Sequence, residues 1–116
     1  FLILDDEASI RESIAAFMED EGYRVFQAES SEDALEILRT HPIDDAVVDI
    51  RLPGQDGNGF MLEARKIRPE IKFVVHTGSA DYIPTKAIQA MGVTLDKVLI
   101  KPVSDLNLVC NALNIK

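Results

Sequence analysis

The chain has 116 residues, of which 47% are hydrophobic, and this length and composition suit one domain built around a single core. We therefore treat residues 1–116 as one domain, and its start within an apolar run raises the expectation that it is a fragment of a longer protein. A net charge of -8 argues against direct nucleic-acid binding. Without an apolar run of about 20 residues we expect no membrane span, and a cytoplasmic location fits best.

Apolar runs typical of buried strands alternate with helical periods along the chain. The predicted strands are residues 1–4, 46–48, 73–75 and 98–100, with a weaker one at 23–26. Each is followed by apolar residues at helical spacing, in sets that begin at Ile10, Ala34, Phe60, Ile83 and Leu106. This alternation predicts an α/β fold, a single doubly wound, flavodoxin-like (βα)5 domain. Its parallel five-stranded sheet is expected to have the order 2-1-3-4-5, with helices on both faces.

Local signals predict where these helices begin and end. A serine followed three residues later by an acid has the spacing of a capping box, in which the hydroxyl accepts a hydrogen bond from the first turn. Glycine suits the left-handed turn that ends many helices, and proline suits a first helical turn. On these grounds the predicted caps are Ser9 and Ser30, the predicted helix ends are Gly22 and Gly92, and the predicted first-turn residue is Pro84. Ser104 has no acid three residues later but can cap the last helix through its hydroxyl.

Charged and polar residues follow four of the five predicted strands. These residues are Asp5, Asp6 and Glu7 after the first strand, Asp49 after the third, Thr77 at the end of the fourth, and Lys101 after the fifth. In a parallel α/β sheet such strand ends face one crevice. Carboxylates crowded there repel each other unless a cation lies among them. Oxygen ligands at a half-open site suit Mg²⁺, which we therefore predict as the cofactor.

These residue types can support phosphoryl transfer. Asp49 is the predicted nucleophile because it stands alone at the end of an apolar strand, whereas Asp5 and Asp6 are adjacent and suited to share the metal. The Lys101 ammonium would add positive charge, and the Thr77 hydroxyl would hydrogen-bond the new phosphoryl oxygens. Taken singly, the acids also suit helix caps, Lys101 a solvated lysine and Thr77 an ordinary strand residue. Their joint placement favours the functional interpretation.

Several features of the crevice occur together in this chain. They are the pair Asp5-Asp6 after the first strand, the segment from Asp49 to Gly57 with a proline four residues and a glycine eight residues after the aspartate, Thr77, and the pair Lys101-Pro102. The proline and glycines also suit a tight loop without any functional role. As a set, and over residues 2–113, these features resemble the receiver domains of two-component response regulators.

The resemblance implies a role for each matching residue. Asp49 would accept the phosphoryl group, and Asp6, Asp49 and the backbone carbonyl of Arg51 would bind Mg²⁺ directly, with Asp5 acting through water. Thr77 and Lys101 would contact the phosphoryl group, and the peptide bond before Pro102 would be cis. The implied donor is a phosphohistidine on a histidine kinase or a phosphotransfer protein. The domain would catalyse only its own phosphorylation and dephosphorylation, so it would not be an enzyme in the usual sense.

The same resemblance allows further partners, namely an attached or separate output domain and a second copy of the chain. A homodimer would form through the fourth helix, fifth strand and fifth helix.

Three features depart from the family pattern. Val98 stands three residues before the lysine, where the family usually has an aromatic residue whose movement accompanies phosphorylation. The loop at residues 92–97 is about two residues longer than expected. His76 precedes Thr77 where a small or aliphatic residue is usual. Strand alternation directs the His76 side chain away from Thr77, which predicts a packed or hydrogen-bonded histidine rather than a ligand.

The leading functional hypothesis is a phosphorylation-dependent signalling switch of a two-component phosphorelay. The alternative is a phosphate-independent protein-interaction module of the same fold, which Val98 and the altered loop favour. A phosphate-ester hydrolase is disfavoured, because position 51 holds an arginine where such an enzyme needs a second acid and no insertion is long enough to form a cap.

Overall fold

The computed structural model describes residues 1–103 and 105–113, and in these residues five strands alternate with five helices. The strands are β1 (Leu2–Leu4), β2 (Phe26–Ala28), β3 (Asp45–Val48), β4 (Lys72–Thr77) and β5 (Val98–Ile100). The helices are α1 (Ala8–Asp20), α2 (Ser31–Thr40), α3 (Gly57–Ile67), α4 (Lys86–Ala90) and α5 (Asn107–Leu113), and a 3₁₀ turn at Leu95–Lys97 precedes β5. None of these helices combines the length and hydrophobicity needed to cross a bilayer. The predicted cap Ser104 lies outside the described residues.

The five strands form one parallel sheet in the order β2-β1-β3-β4-β5, which confirms the predicted topology. Leu4 on β1 is level with Val48 on β3, and Val48 is level with Val75 on β4. The pairing continues past β3, since the Asp49 N–H donates to the Leu4 carbonyl at 2.9 Å. The carboxyl ends of the central strands are therefore aligned along one edge.

Both faces of the sheet are buried by helices. On one face Leu4, Phe60 and Ile88 belong to a core cluster with side chains from α2, α3 and α4. On the other face Ile3 and Ile14 belong to a second cluster with side chains from α1 and α5. Burial on both faces explains why the strands are apolar at successive positions and not only at alternate ones.

The second strand begins later than predicted. Helix α1 ends at Asp20 and is followed by a left-handed Gly22 (φ 95), the turn residue expected from the sequence, and the Tyr23 N–H donates back to the Met18 carbonyl at 3.0 Å. The residues directly after Gly22 thus belong to the turn that follows the helix and not to a strand. Pairing with β1 starts at Phe26, whose N–H donates to the Phe1 carbonyl at 2.8 Å, so the strand predicted at 23–26 is wrong except for its last residue.

Of the predicted helix boundaries, Ser30 is confirmed as the cap of α2, because its hydroxyl accepts from the Asp33 N–H. Gly92 is confirmed as a left-handed residue after α4 (φ 92). The cap predicted at Ser9 is wrong, since α1 begins at Ala8 and its N-cap position is Glu7, whose side chain makes no capping hydrogen bond.

The start of α4 was also misplaced from sequence. Thr85 is the residue that caps this helix, accepting from the Ile88 N–H, so Pro84 precedes the cap and does not lie in the first turn. Ile83 lies outside the helix and is 68% exposed, and the helical period that included it was therefore misread.

Candidate functional site

Three carboxylates meet at the aligned ends of β1 and β3. One oxygen from each of Asp5, Asp6 and Asp49 lies within 4.8 Å of the other two. Asp5 and Asp49 are only 2% and 4% exposed, whereas Asp6 faces solvent. Because three like charges at this separation repel strongly and oxygen ligands suit hard cations, the cluster fits a divalent metal ion.

Lys101 lies among these acids. Its Nζ is 3.0 Å from Asp5 Oδ2 and 3.3 Å from Asp49 Oδ2, and it also contacts Glu7 Oε1 at 3.3 Å. The Lys101-Pro102 peptide bond is cis, as expected. Burial works to lower the pKa of Lys101, but hydrogen bonding and attraction to Asp5 and Asp49 outweigh it, so the pKa is raised. Lys101 is therefore an ammonium at neutral pH, and one positive charge is shared by three carboxylates.

Asp49 has a strongly shifted acidity. Burial and then repulsion by Asp5 raise its pKa to about 6, with a smaller contribution from Asp6, and the Lys101 ammonium opposes this rise. The folded protein thus destabilises the charged form of Asp49, and a nearby cation would reduce that destabilisation. At mildly acidic pH a proton would compete with such a cation for Asp49.

Thr77 completes one cavity with the charged residues. Its side chain is fully buried, and its Oγ1 accepts a hydrogen bond from the Ser79 N–H at 3.1 Å. The cavity has a volume of about 410 Å³ and is called the Asp49 cavity below. Its lining residues are Asp6, Glu7, Asp49, Arg51, Thr77, Gly78, Ser79 and Lys101. All the predicted site residues except Asp5 line it. Asp5 belongs to the same site because it lies in the carboxylate cluster and pairs with Lys101.

Gly57 packs directly behind Asp49. A Cβ atom at Gly57 would lie 2.2 Å from the Asp49 carbonyl oxygen and 2.9 Å from the Ile50 Cα. The Gly57 N–H also donates to the Ile50 carbonyl at 2.9 Å, which closes the loop that follows β3. The glycine eight residues after the aspartate therefore has a packing role at the site in addition to any turn-forming role.

Two contacts near the site were not predicted from sequence. Glu7 pairs with Lys101, whereas the sequence indicates only that Glu7 belongs to an acidic run after the first strand. The Tyr82 hydroxyl donates to Asn58 Oδ1 at 2.6 Å and ties the loop after β4 to the first turn of α3. Nothing in the spacing of Tyr82 and Asn58 signals this contact, because the residues come from separate segments that only the fold brings together.

His76 and Val98 occupy the places expected for them. His76 is buried on the face of the sheet covered by α1 and α5, away from Thr77, which confirms a packed histidine. Val98 is partly buried and packs against the core cluster on the opposite face.

Comparison with known sequences agrees with this geometry. The family profile described as the response regulator receiver domain matches residues 1–113. The response regulator GtcR of Aneurinibacillus migulanus is 36% identical over 108 residues, which cover 93% of this chain and 43% of GtcR. The chain spans less than half the length of several such relatives.

Two solved structures share the fold. A response regulator from Burkholderia pseudomallei, with a phosphorylated aspartic acid, a calcium ion and citrate, is 26% identical with a TM-score of 0.85, covering 97% of this chain and 65% of that one. The response regulator TrrA of Thermotoga maritima, in complex with Mg²⁺ and BeF, is 28% identical with a TM-score of 0.76, covering 89% of this chain and 86% of that one. The profile match over residues 1–113 agrees with the sheet order and the acid cluster, and the chain belongs to the response regulator receiver domain family.

Proposed function

We propose that this receiver domain accepts a phosphoryl group on Asp49 and serves as a phosphorylation-dependent switch in a two-component phosphorelay. The observation that carries the proposal is the Asp49 cavity, in which a buried carboxylate lies 3.3 Å from a lysine ammonium and within 4.8 Å of two further acids. A nucleophile, a fixed positive charge and a hydroxyl donor share one space large enough for a phosphoryl group. This is the set of groups that phosphoryl transfer requires.

The proposed metal is Mg²⁺. Asp6, Asp49 and the backbone carbonyl of Arg51 would hold it directly, and Asp5 would contact it through water. When bound, the ion supplies positive charge that neutralises the transferring phosphoryl group. The close approach of three carboxylates supports this assignment, and the two related structures bound to Ca²⁺ and Mg²⁺ are in line with it.

In the proposed transfer, an Asp49 carboxylate oxygen attacks the phosphorus of a phosphohistidine. The new O–P bond forms as the N–P bond to the donor imidazole breaks, and that imidazole takes up a proton. Lys101 would balance charge on the phosphoryl oxygens, because its Nζ already lies beside Asp49 Oδ2. Thr77 Oγ1 accepts from the Ser79 N–H, which leaves its hydroxyl proton available for donation to a phosphoryl oxygen.

The proposed donor is a histidine kinase or a phosphotransfer protein, and we propose a cytoplasmic location for this exchange. Because the chain spans less than half of several relatives, an output domain on the same protein is part of the proposal. Catalysis would be confined to the domain's own phosphorylation and dephosphorylation. A homodimer through α4, β5 and α5 stays a prediction, which analytical ultracentrifugation with and without phosphodonor would test.

The proposal is tested by intact mass after incubation with acetyl phosphate and Mg²⁺. The expected result is one phosphoryl adduct that is lost in an Asp49→Asn variant and lost again when EDTA removes the metal. An adduct that persists in Asp49→Asn would place the modification elsewhere, and no adduct on the wild-type protein would contradict the proposal.

One observation favours a second candidate, a phosphate-independent interaction module. Val98 occupies the position of the usual aromatic residue, and its short, partly buried side chain packs against the core cluster. A module of this kind would bind its partner with equal affinity before and after treatment with phosphodonor. A change in affinity on phosphorylation would exclude it.

A further inference from the structure

The loop after β4 is joined to α3 by a tyrosine that the proposed phosphoryl transfer does not use. The loop comprises residues 78–85, most of which are exposed. The Tyr82 ring is partly buried and packs against the core cluster formed with α2, α3 and α4, and its hydroxyl donates to Asn58 Oδ1 at 2.6 Å. Burial, and then the negative charge of Asp56, raise the pKa of Tyr82. The hydroxyl therefore keeps its proton at neutral pH and is the donor of this hydrogen bond.

The α3 end of this hydrogen bond is held in place by the packing at the site. Asn58 lies in the first turn of α3, directly after Gly57, which approaches the Asp49 carbonyl so closely that a Cβ has no room. Asp56 caps the helix by accepting from the Gly59 N–H at 3.0 Å. The start of α3, and Asn58 with it, is thus fixed relative to the end of β3.

The loop end of this hydrogen bond is connected to Thr77 through a turn. Thr77 Oγ1 accepts from the Ser79 N–H at 3.1 Å, and the Ser79 carbonyl accepts from the Tyr82 N–H at 3.1 Å. A displacement of the Thr77 hydroxyl is therefore passed to the backbone of Tyr82. Because most residues of the loop are exposed and make few buried contacts, the loop shifts at a lower cost than β4 or α3.

A phosphoryl group on Asp49 would act on this connection. Its charged oxygens would attract the Thr77 hydroxyl, and the turn that begins at Ser79 would move with the Thr77 oxygen that holds it. Asn58 would not follow, because α3 is fixed against β3. An O–H···O hydrogen bond that is already 2.6 Å long is broken when its partners separate by about 1 Å.

We propose that the hydrogen bond between Tyr82 and Asn58 is a tether that holds the loop after β4 in its unphosphorylated arrangement, and that phosphorylation of Asp49 breaks it. This inference rests on the proposed function. Tyr82 is a positioning residue, because it does not line the Asp49 cavity and acts on it through Ser79 and Thr77. An interaction that is made in only one of two states opposes the other state, so the tether disfavours the phosphorylated form.

Tyrosine NMR with a reversible stand-in for the phosphoryl group tests the tether directly. Beryllofluoride is suitable, since TrrA was solved in complex with it and Mg²⁺. The chain has two tyrosines, so labelling with ¹³C at the ring Cζ gives two signals, and a Tyr23→Phe variant identifies the signal of Tyr82. Beryllofluoride with Mg²⁺ is expected to shift the Tyr82 signal saturably, because the hydroxyl exchanges Asn58 for water, and to leave the Tyr23 signal unchanged.

Variants of the two tethered residues give the effect on affinity. Tyr82→Phe keeps the ring and removes the donor, and Asn58→Ala removes the acceptor. Each is expected to bind beryllofluoride about fivefold more tightly than the wild type, the factor that corresponds to one net hydrogen bond. The double variant should gain no more than either single variant, because both changes remove the same bond. Tyr23→Phe is the matched control and should bind with wild-type affinity.

The tether is overturned if beryllofluoride saturates the site without shifting the Tyr82 signal. Equal or weaker binding by Tyr82→Phe, or additive gains in the double variant, would overturn it as well. Intact mass after treatment with acetyl phosphate separates this failure from failure of the proposed function. A phosphoryl adduct that forms while the Tyr82 signal stays unchanged contradicts the tether alone, whereas the absence of an adduct contradicts the proposed function and the tether with it.

Discussion

At the scale of single residues, Lys101 controls the charge balance of the crevice. Its Nζ lies within 3.3 Å of three carboxylates, and two of these, Asp5 and Asp49, are almost fully buried. Without the ammonium, no lysine or arginine in the described part of the chain would pair with either buried acid. In the proposed transfer, the same ammonium would balance charge on the incoming phosphoryl group.

Replacing Lys101 by methionine keeps most of the side-chain volume and removes the charge. We expect phosphorylation of Asp49 by acetyl phosphate to slow by about 100-fold, the effect typical of losing one preorganised charge or donor. Time courses of intact mass at saturating Mg²⁺ provide the measurement. Lys66→Met is the matched control, since the Lys66 side chain is 74% exposed and pairs with a neighbouring glutamate on α3. Equal rates for wild type and Lys101→Met would contradict the assigned role.

The shifted acidity of Asp49 predicts a pH dependence of folding. Its pKa is about 6 in the folded protein, because of burial and repulsion by Asp5, and near its ordinary value of about 4 in the unfolded chain. Between these values the folded state binds more protons, so the Asp49 contribution to stability falls as pH rises through about 4 to 6. At pH 7.5 without metal, the charged Asp49 therefore destabilises the domain.

We accordingly expect Asp49→Asn to raise the melting temperature of the metal-free domain at pH 7.5 by about 2–6 °C, with a smaller gain at pH 5. Thermal unfolding followed by circular dichroism in EDTA measures both values. Asp81→Asn, at an exposed position, is the control for loss of one negative charge. A lower melting temperature for Asp49→Asn at pH 7.5 would show that Asp49 stabilises the metal-free fold.

At the scale of elements, the loop after β3 is positioned by its contact with the strand end. The N-terminus of α3 approaches the backbone of Asp49 and Ile50 so closely that Gly57 has no room for a side chain. Asp56 caps the same helix by accepting from the Gly59 N–H at 3.0 Å. The position of the Asp49 carboxylate thus depends on the first turn of α3 as well as on β3.

Gly57→Ala is expected to reduce the free energy of unfolding by about 2–3 kcal/mol, because backbone atoms and not a flexible side chain would have to move. Urea denaturation gives the value. Gly78→Ala is the matched control, since a Cβ there meets no atom within 4 Å, and it should change stability by less than about 0.5 kcal/mol. Equal effects of the two substitutions would mean that the contact behind Asp49 relaxes at little cost.

At the scale of the whole molecule, the sheet brings together acids from two strand ends that are remote in the chain. Asp5 and Asp6 follow β1, whereas Asp49 follows β3, and the two strands are neighbours only in the folded sheet. A cation that needs oxygens from both strand ends therefore binds the folded state in preference to the unfolded state.

Mg²⁺ is accordingly expected to stabilise the domain by about 1.4 kcal/mol at a concentration ten times its dissociation constant. The gain should be smaller at pH 5, where a proton competes for Asp49. Differential scanning calorimetry across a Mg²⁺ series tests this. Asp6→Asn removes an exposed acid of the cluster and should suppress most of the gain. A similar gain in both proteins would indicate that Mg²⁺ acts by general screening.

The sequence by itself determined the order of elements, the parallel sheet and the residues at the strand ends. Periodicity carries this information because a strand buried on both faces must be apolar throughout, and a helix packed on one side must be apolar on one stripe. The same pattern predicts where each strand ends, and the residues at those ends are Asp5, Asp6, Asp49, Thr77 and Lys101. The predicted starts of β2 and α4 are wrong. Strand pairing sets the first boundary and a capping residue sets the second, and the local hydrophobic pattern reveals neither.

Only the tertiary structure decided which of these side chains touch. The pairing of Glu7 with Lys101 joins residues that are 94 positions apart, and the close approach of Gly57 to Asp49 depends on where the start of α3 lies against the end of β3. No pattern of neighbouring residues encodes such distances, because they are set by how the helices pack on the sheet. The family features identify a crevice, whereas the packing determines its charge balance.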